Sequence, residues 1–299
     1  MIIMEKKHVF SGCATALVTP FTKDGVDYEA FGRLLDFQIE SGIDALVVCG
    51  TTGEPATMTY QERSETIKFA VERVNKRVPV IVGTGSNATH IAVSNSITAY
   101  EAGADALLVV TPYYNKCTPA GLIKHFEAVC AATPLPVICY SVPGRTGVNI
   151  TAEMLEKLAE IDNLVGIKEA SGNMDQMVDM CRRVGNKIDI FSGDDALAVP
   201  LLSVGGKGVI SVASNLLPKE VHQMCVDFFE GNTQKAMEMQ LKLYPLIKAL
   251  FCEVNPIPAK TAASLMGFGE CNLRLPLCDM SEKNLEYLKS EMRNFGIKF

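Results

Sequence analysis

The chain has 299 residues, of which 48% are hydrophobic and 21% are charged, a composition that supports a sizeable core and excludes a disordered protein. Its formal net charge of -6, without any basic block, argues against nucleic acid or an anionic membrane as a partner. Its ten cysteines are scattered without a CxxC pair, and no apolar run is long enough for a signal peptide or a membrane span. We therefore expect a cytoplasmic protein with reduced cysteines that acts on small molecules.

Eight short apolar runs recur along the chain, and each has the length of a buried strand. They are ATALVTP, DALVVCG, VPVIVGTG, DALLVVTPYY, LPVICYSVP, LVGIKEASG, IDIFSGDD and GVISVASN, beginning at residues 14, 44, 78, 105, 135, 164, 188 and 208. The stretches between them have helical periodicity. Three of these helices begin with a capping residue: Thr59 before Glu62, Thr118 before a proline, and Thr151.

The alternation of strands and helices predicts the architecture. From residue 11 to 231, eight strand and helix pairs average roughly 27 residues each, which is close to the typical size of a closed (β/α)8 TIM barrel. A doubly wound open sheet is the alternative, but eight regular alternations favour closure. From residue 232 only helical patterns follow. We therefore predict an α/β barrel that carries the active site over residues 1–231, and a C-terminal helical domain over residues 232–299.

Lys168 is the most informative residue in the sequence because it ends a fully apolar strand, residues 164–167. A buried ammonium group without a partner usually loses its proton, and a neutral amine is a nucleophile. Gly166 lies on the same face of the strand, and we expect it to leave room beside the lysine. The structural alternative is a lysine that extends to solvent or pairs with a carboxylate.

Other strand ends carry hydroxyls, a phenol and a guanidinium, and the C-terminal ends of barrel strands form the active face. The loop GTTGE (50–54) could surround a small carboxylate with amides and hydroxyls, although such a sequence is more often only a turn. Tyr140 is either a core tyrosine or a phenol that relays protons. Arg145 suits recognition of a second carboxylate, and its alternative is an exposed surface arginine.

Two loops imitate nucleotide motifs without meeting their requirements. GTGSNA (83–88) lacks an acidic residue at the end of the next strand, and SVGGKG (203–208) lacks the first glycine and the final Ser/Thr of a phosphate loop. Asp194 and Asp195 would repel a phosphorylated substrate. The four histidines have no ligand spacing, so we predict no catalytic metal and no nucleotide cofactor.

Eight motifs in this order resemble the pyruvate-dependent class I aldolases, and among them most closely the dihydrodipicolinate synthase family. The motifs are TALVTPF, GTTGE, TPYYN, YSVPGRTG, GIKEASG, SGDD, GVISVASN and FCEVNPIPAK. The resemblance implies a (β/α)8 barrel with a helical C-terminal domain. It also implies condensation of pyruvate with L-aspartate 4-semialdehyde in lysine and diaminopimelate biosynthesis, without a cofactor, by a homotetramer built from tight dimers.

The resemblance also implies roles for individual residues. Lys168 is similar to the Schiff-base lysine of the family, and Tyr140 to its proton donor and acceptor. Thr51 and Tyr114 match the remaining members of the proton relay, and Tyr114 is implied to reach across a subunit interface. The implied substrate-binding residues are Thr52, Arg145, Ile210 and Gly193.

The sequence departs from the family at the lysine feedback site of its regulated members. Asn87 and Tyr113 match that site, but its other usual residues are replaced by Pro55, Tyr60, Arg63 and Ile91. Ile91 cannot accept a hydrogen bond from an ammonium group, so we expect weak inhibition by lysine or none.

Three other functions are possible alternatives for this sequence. Sister enzymes cleave sugar acids, namely N-acetylneuraminate or 2-keto-3-deoxygluconate, but Arg145 and the doubled threonine of GTTGE favour the synthase. A nucleotide-dependent oxidoreductase would need the GTGSNA loop to bind a cofactor. A sensor that keeps only the fold would form no imine with pyruvate.

Overall fold

The computed structural model describes residues 6–299, and it confirms the predicted (β/α)8 barrel. Eight parallel strands close into a cylinder because β1 pairs with both β2 and β8. The strands are β1 Gly12–Ala16, β2 Ala45–Val48, β3 Val80–Gly83, β4 Ala106–Val110, β5 Val137–Ser141, β6 Leu164–Glu169, β7 Asp189–Ser192 and β8 Gly208–Ser211. Each predicted apolar run contains one strand or overlaps it. The open-sheet alternative is therefore wrong.

Helices surround the barrel and continue into the C-terminal region. They are α1 Tyr28–Glu40, α2 Tyr60–Val74, α3 Thr89–Glu101, α4 Pro119–Ala131, α5 Pro143–Thr146, α6 Ala152–Leu158, α7 Met174–Val184, α8 Ala198–Leu202, α9 Pro218–Phe229, α10 Thr233–Leu250, α11 Ile257–Leu265 and α12 Glu282–Phe295. None of the helices formed by residues 6–299 combines the length and the apolar character that crossing a bilayer requires.

The predicted helix boundaries are confirmed where capping residues were recognised. Thr59 and Glu62 form the reciprocal capping box of α2, and the side chains of Thr118 and Thr151 cap α4 and α6. Such caps satisfy amide groups that the first turn of a helix leaves without partners.

The core has two layers. Inside the cylinder, alternate strand residues pack against one another, among them Val47, Ile81, Ile138 and Ile210. Phe10 stacks on Phe191 with ring centroids 4.3 Å apart and fills the interior before β1 begins. The second, larger layer lies between the strands and the surrounding helices. With the interior filled in this way, the cylinder is a packed core, and its chemistry is confined to one end.

The last three helices pack beside the barrel. Helix α10 lies against α9 and α12, and its side chain Gln240 bonds to the β7–α8 connection: Nε2 donates to the Asp195 carbonyl at 3.0 Å, and Oε1 accepts from the Val199 amide at 3.0 Å. The connection between α10 and α11, residues 251–256, reaches the C-terminal ends of the strands, where Asn255 contacts Thr52. The helical region thus forms part of the active face.

Candidate active site

Lys168 lies near the C-terminal end of β6, a strand that is buried along its whole length, as predicted. The residue is only 5% exposed. Burial lowers its pKa from 10.5 to about 8, the nearby charge of Asp195 opposes this shift, and Arg145 adds to it. At pH 7 about one such lysine in ten is neutral, whereas for an ordinary lysine the fraction is below about one in a thousand. The amine is therefore available as a nucleophile near neutral pH.

Tyr140 lies directly opposite Lys168 on the neighbouring strand β5. The lysine Nζ is 4.4 Å from the centroid of the tyrosine ring, and Tyr140 is 7% exposed. Burial raises the pKa of Tyr140, whereas the charge of Arg145 and the hydroxyl of Thr51 lower it. A phenol that stays protonated beside an amine can donate a proton and then take one back.

The space for the Lys168 side chain comes from Gly193, and the expectation that Gly166 provides it is wrong. A Cβ atom on Gly193 would lie 2.9 Å from the lysine Cε and 3.1 Å from its Cγ. A Cβ atom on Gly166 would instead meet the Asp189 carbonyl at 2.9 Å and the Phe191 ring at 3.4 Å. The residue that directly follows β7 therefore limits the space beside the lysine.

The loop GTTGE follows β2 and turns sharply at the mouth. Thr51–Gly53 form a single 3-10 turn, and Glu54 adopts a left-handed conformation with φ 55°. Thr19 Oγ1 donates to the Gly53 carbonyl at 2.8 Å, and Glu54 accepts at 2.6 Å from Nζ of Lys260. Two distant parts of the chain therefore hold this loop: the segment that follows β1, and α11.

Arg145 is exposed on the short helix α5 and faces the same opening. Its Nη2 donates to the carbonyl of Asn255 at 2.9 Å. The remaining donors of the guanidinium leave it able to bind an anion at the entrance.

Asp194 and Asp195 serve the loops around the lysine. Asp194 caps the turn that follows β7, because its Oδ1 accepts from the Ala196 amide. Asp195 is buried and accepts from the amides of Val212 and Ala213 at 2.9 and 3.1 Å, and burial raises its pKa. This carboxylate links the segments that follow β7 and β8.

Two further predicted residues lie in contrasting places. Ile210 is fully buried in β8 among the inward-facing residues of the barrel. Tyr114 is 91% exposed, with a left-handed backbone at φ 71°, and it does not line the cavity of its own protomer. The single chain thus brings together the other predicted site residues and leaves Tyr114 outside them.

A cavity of about 430 Å³ opens beside Tyr140 at the C-terminal ends of the strands. Its wall includes Thr51, Arg145 and Asn255, and it extends past Arg63 and Ile91. Its volume lies within the range of small-molecule sites, and Tyr140 and Arg145 connect it to the lysine site.

The glycines of the GTGSNA loop serve packing. A Cβ atom on Gly83 would lie 2.2 Å from the Cys49 carbonyl, and one on Gly85 would lie 2.5 Å from the Val110 amide. These glycines let neighbouring strand ends approach closely. In the described part of the chain, no three His, Cys, Asp or Glu side chains come together as a metal site would require.

The sequence interpretation missed the buried pair Lys260 and Glu54, whose side chains are 2% and 1% exposed. It also missed that Asn255 belongs to the wall of the site. A lysine within the apolar stretch IPAKTAASL was the available signal, because such a residue needs a buried partner.

A closed barrel with a buried lysine beside a tyrosine at the C-terminal strand ends is the arrangement expected of the class I aldolases. Comparison with known proteins agrees. The model of the dihydrodipicolinate synthetase family matches residues 9–294, and the chain belongs to this family.

Individual relatives are similar over almost the whole chain. The 4-hydroxy-tetrahydrodipicolinate synthase of Thermoanaerobacter sp. (strain X514) is 51% identical over 290 residues, covering 97% of this chain and 98% of the relative. The crystal structure of dihydrodipicolinate synthase from Aquifex aeolicus has a TM-score of 0.94 at 45% identity, covering 97% of this chain and 100% of that one. A third structure, of a dihydrodipicolinate synthase variant characterised as the first monomeric one, has a TM-score of 0.95 at 43% identity and covers 97% and 98% of the two chains.

Proposed function

We propose that this chain condenses pyruvate with L-aspartate 4-semialdehyde through an imine on Lys168, and so acts as the 4-hydroxy-tetrahydrodipicolinate-forming lyase of lysine biosynthesis. The observation that carries the proposal is the pair formed by Lys168 and Tyr140 on adjacent strands, with the pKa of the lysine lowered to about 8. Family membership identifies the reaction.

The first step joins pyruvate to the enzyme. The neutral amine of Lys168 attacks the keto carbon, and loss of water leaves an imine. The imine acidifies the methyl group because it accepts the electrons that a departing methyl proton leaves behind. Tyr140 is the group placed to move protons in these steps, and Thr51 supports its phenol.

The second step forms the new carbon–carbon bond. The enamine carbon attacks the aldehyde carbon of the semialdehyde, and the resulting alkoxide takes a proton. The amino group of the second substrate can then attack the imine carbon, closing the ring and releasing Lys168. The lysine itself activates the carbonyl, so this scheme needs neither a metal ion nor a nucleotide.

The other site residues take the roles that the family resemblance implies. Thr52 and the backbone at Ile210 would bind the carboxylate of pyruvate, and Gly193 would keep the lysine channel open. Arg145, at the entrance, would bind the carboxylate of the semialdehyde.

We also propose a homotetramer, a cytoplasmic location, and a division at residue 231 into a catalytic barrel and a helical domain. The exposure of Tyr114 supports the assembly, because this tyrosine could join the Tyr140 relay only from another subunit. Light scattering of the purified chain, with Tyr114→Phe compared in activity, tests this part.

Borohydride reduction in the presence of pyruvate tests the reaction. Reduction of the imine should leave a 1-carboxyethyl group on the amine, and peptide mapping should locate the added mass on Lys168. Turnover with pyruvate and the semialdehyde should then exceed turnover with sugar acids such as N-acetylneuraminate. No adduct, or an adduct on another lysine, would refute the proposal.

A further inference from the structure

Asn255 lies in the cavity wall and makes contact with two segments of the barrel domain from the helical region. It lies between α10 and α11 and is 7% exposed. Its side-chain Nδ2 donates to Thr52 Oγ1 at 3.0 Å, and its backbone carbonyl accepts from Arg145 Nη2 at 2.9 Å. One residue of the helical region therefore bonds to both residues that we assign to substrate carboxylates.

The side chain of Asn255 is not satisfied by this arrangement. Its Oδ1 is buried and has no hydrogen-bond partner within residues 6–299. Burying an acceptor without a partner costs free energy, and buried amides in proteins usually satisfy both ends. An asparagine at this position, bonded through its side chain to Thr52, indicates a role in the site, because packing alone would favour an apolar side chain.

The contact also determines what the Thr52 hydroxyl can do. A hydroxyl group has one proton to donate and lone pairs that accept. Because the Asn255 amide occupies an acceptor position of Thr52, the hydroxyl proton remains free to be donated elsewhere. A free donor is what a carboxylate requires.

We propose that Asn255 is a positioning residue that orients the Thr52 hydroxyl as a donor to the pyruvate carboxylate and, through its carbonyl, holds Arg145 at the entrance. This inference rests on the function proposed above. It connects the two substrate positions through one residue of the helical region.

The two bonds can be separated by mutation because one uses the side chain and the other uses the backbone. Asn255→Ala removes the bond to Thr52 and leaves the carbonyl that holds Arg145. We expect the KM for pyruvate to rise about tenfold or more, the loss typical of a hydrogen bond to a charged group, while the KM for the semialdehyde changes less than about twofold. Asn255→Asp should raise the KM for pyruvate further, because a carboxylate there would accept the hydroxyl proton and add a repelling charge.

A double-mutant cycle with Thr52→Val distinguishes an effect of Asn255 on the orientation of Thr52 from a general structural effect of Asn255. If Asn255 acts through Thr52, the double variant should have nearly the same KM for pyruvate as Thr52→Val alone. The matched control is Asn284→Ala, which removes an amide bond to Glu253 of 2.8 Å in the same helical region but lies outside the cavity wall. This control should keep both KM values.

Three results would overturn the inference: equal rises in both KM values for Asn255→Ala, no rise in either, or additive effects in the cycle. Borohydride trapping with pyruvate, run on the wild-type chain in parallel, identifies which proposal has failed. Without an adduct on Lys168 the proposed function itself fails. With the adduct present, any of the three results removes only the role of Asn255.

Discussion

The barrel strands and the segment between α10 and α11 both contribute side chains to the site at the C-terminal ends of the strands, but they position these side chains in different ways. Lys168 and Tyr140 are fixed by the register of two hydrogen-bonded strands, so their separation follows from the sheet itself. Asn255 lies between α10 and α11, and Lys260 lies in α11. Each is placed at the site by contacts with residues more than 100 positions away in the sequence. The reactive groups therefore lie on the barrel strands, and the groups that hold the surrounding loops come from the C-terminal helical region.

The strongest way to test this division is to remove the reactive group. Lys168→Ala should lower kcat/KM by more than about 10⁴-fold, the scale seen when a covalent nucleophile is lost. The fold should remain, because alanine fits a channel that Gly193 already leaves open. Steady-state assays measure the loss. The control is Lys187→Ala, which removes only an exposed ion pair to Glu160 and should retain activity.

Removing the phenol of Tyr140 should lower activity less than removing the amine of Lys168. Tyr140→Phe should lower kcat by about 10²- to 10⁴-fold, the usual contribution of proton transfer by a positioned side chain. The lysine amine is untouched, so borohydride should still trap pyruvate, more slowly than in the wild-type chain. Wild-type kcat in this variant would show that another group moves the protons.

Breaking the buried ion pair between the helical part and the GTTGE loop should lower the stability of the chain. Lys260→Met leaves the Glu54 carboxylate buried without its partner, at a cost of about 3–5 kcal/mol. Urea unfolding measures the loss. The matched double variant, Lys260→Met with Glu54→Gln, should recover much of it because no buried charge remains. Equal stability of the single variant and the wild type would contradict the structural role of this pair.

The pH dependence tests the electrostatics of the barrel part. The pKa of Lys168 is lowered to about 8, so the rate of imine formation should rise as the pH increases through 8. The charge of Arg145 helps to lower this pKa. Arg145→Leu should therefore move the rise to higher pH. A rate that is flat between pH 6 and 10 would contradict a titrating lysine.

The smallest effect is expected from lysine added to the assay. The cavity extends past Arg63 and Ile91, and this end offers a positive charge and an apolar side chain to an ammonium ligand. We therefore predict little or no inhibition at micromolar lysine. Inhibition in that range, measured at subsaturating pyruvate, would show that the site accepts lysine despite these residues.

The barrel could be predicted from the sequence because its signals are local. Apolar runs and capping residues such as Thr59 each act within a few residues. The lysine was equally visible, since a charged residue at the end of an apolar strand is unusual.

The contacts that complete the site could not be predicted, because they depend on packing between distant segments. No local pattern links Asn255 to Thr52, and the correct glycine beside the lysine, Gly193, directly follows the next strand. Gly166 was the nearer choice in sequence, but its space is filled by Phe191. Which side chain fills the space beside a strand residue can be stated only when the register of the neighbouring strand is known.

The most direct measurement is a crystal structure of the chain after soaking with pyruvate. The account predicts continuous density from Nζ of Lys168 to the keto carbon, with the carboxylate at the Thr52 loop and the Tyr140 phenol beside the new bond. Pyruvate bound without a covalent link at saturating concentration, or linked to another lysine, would contradict it.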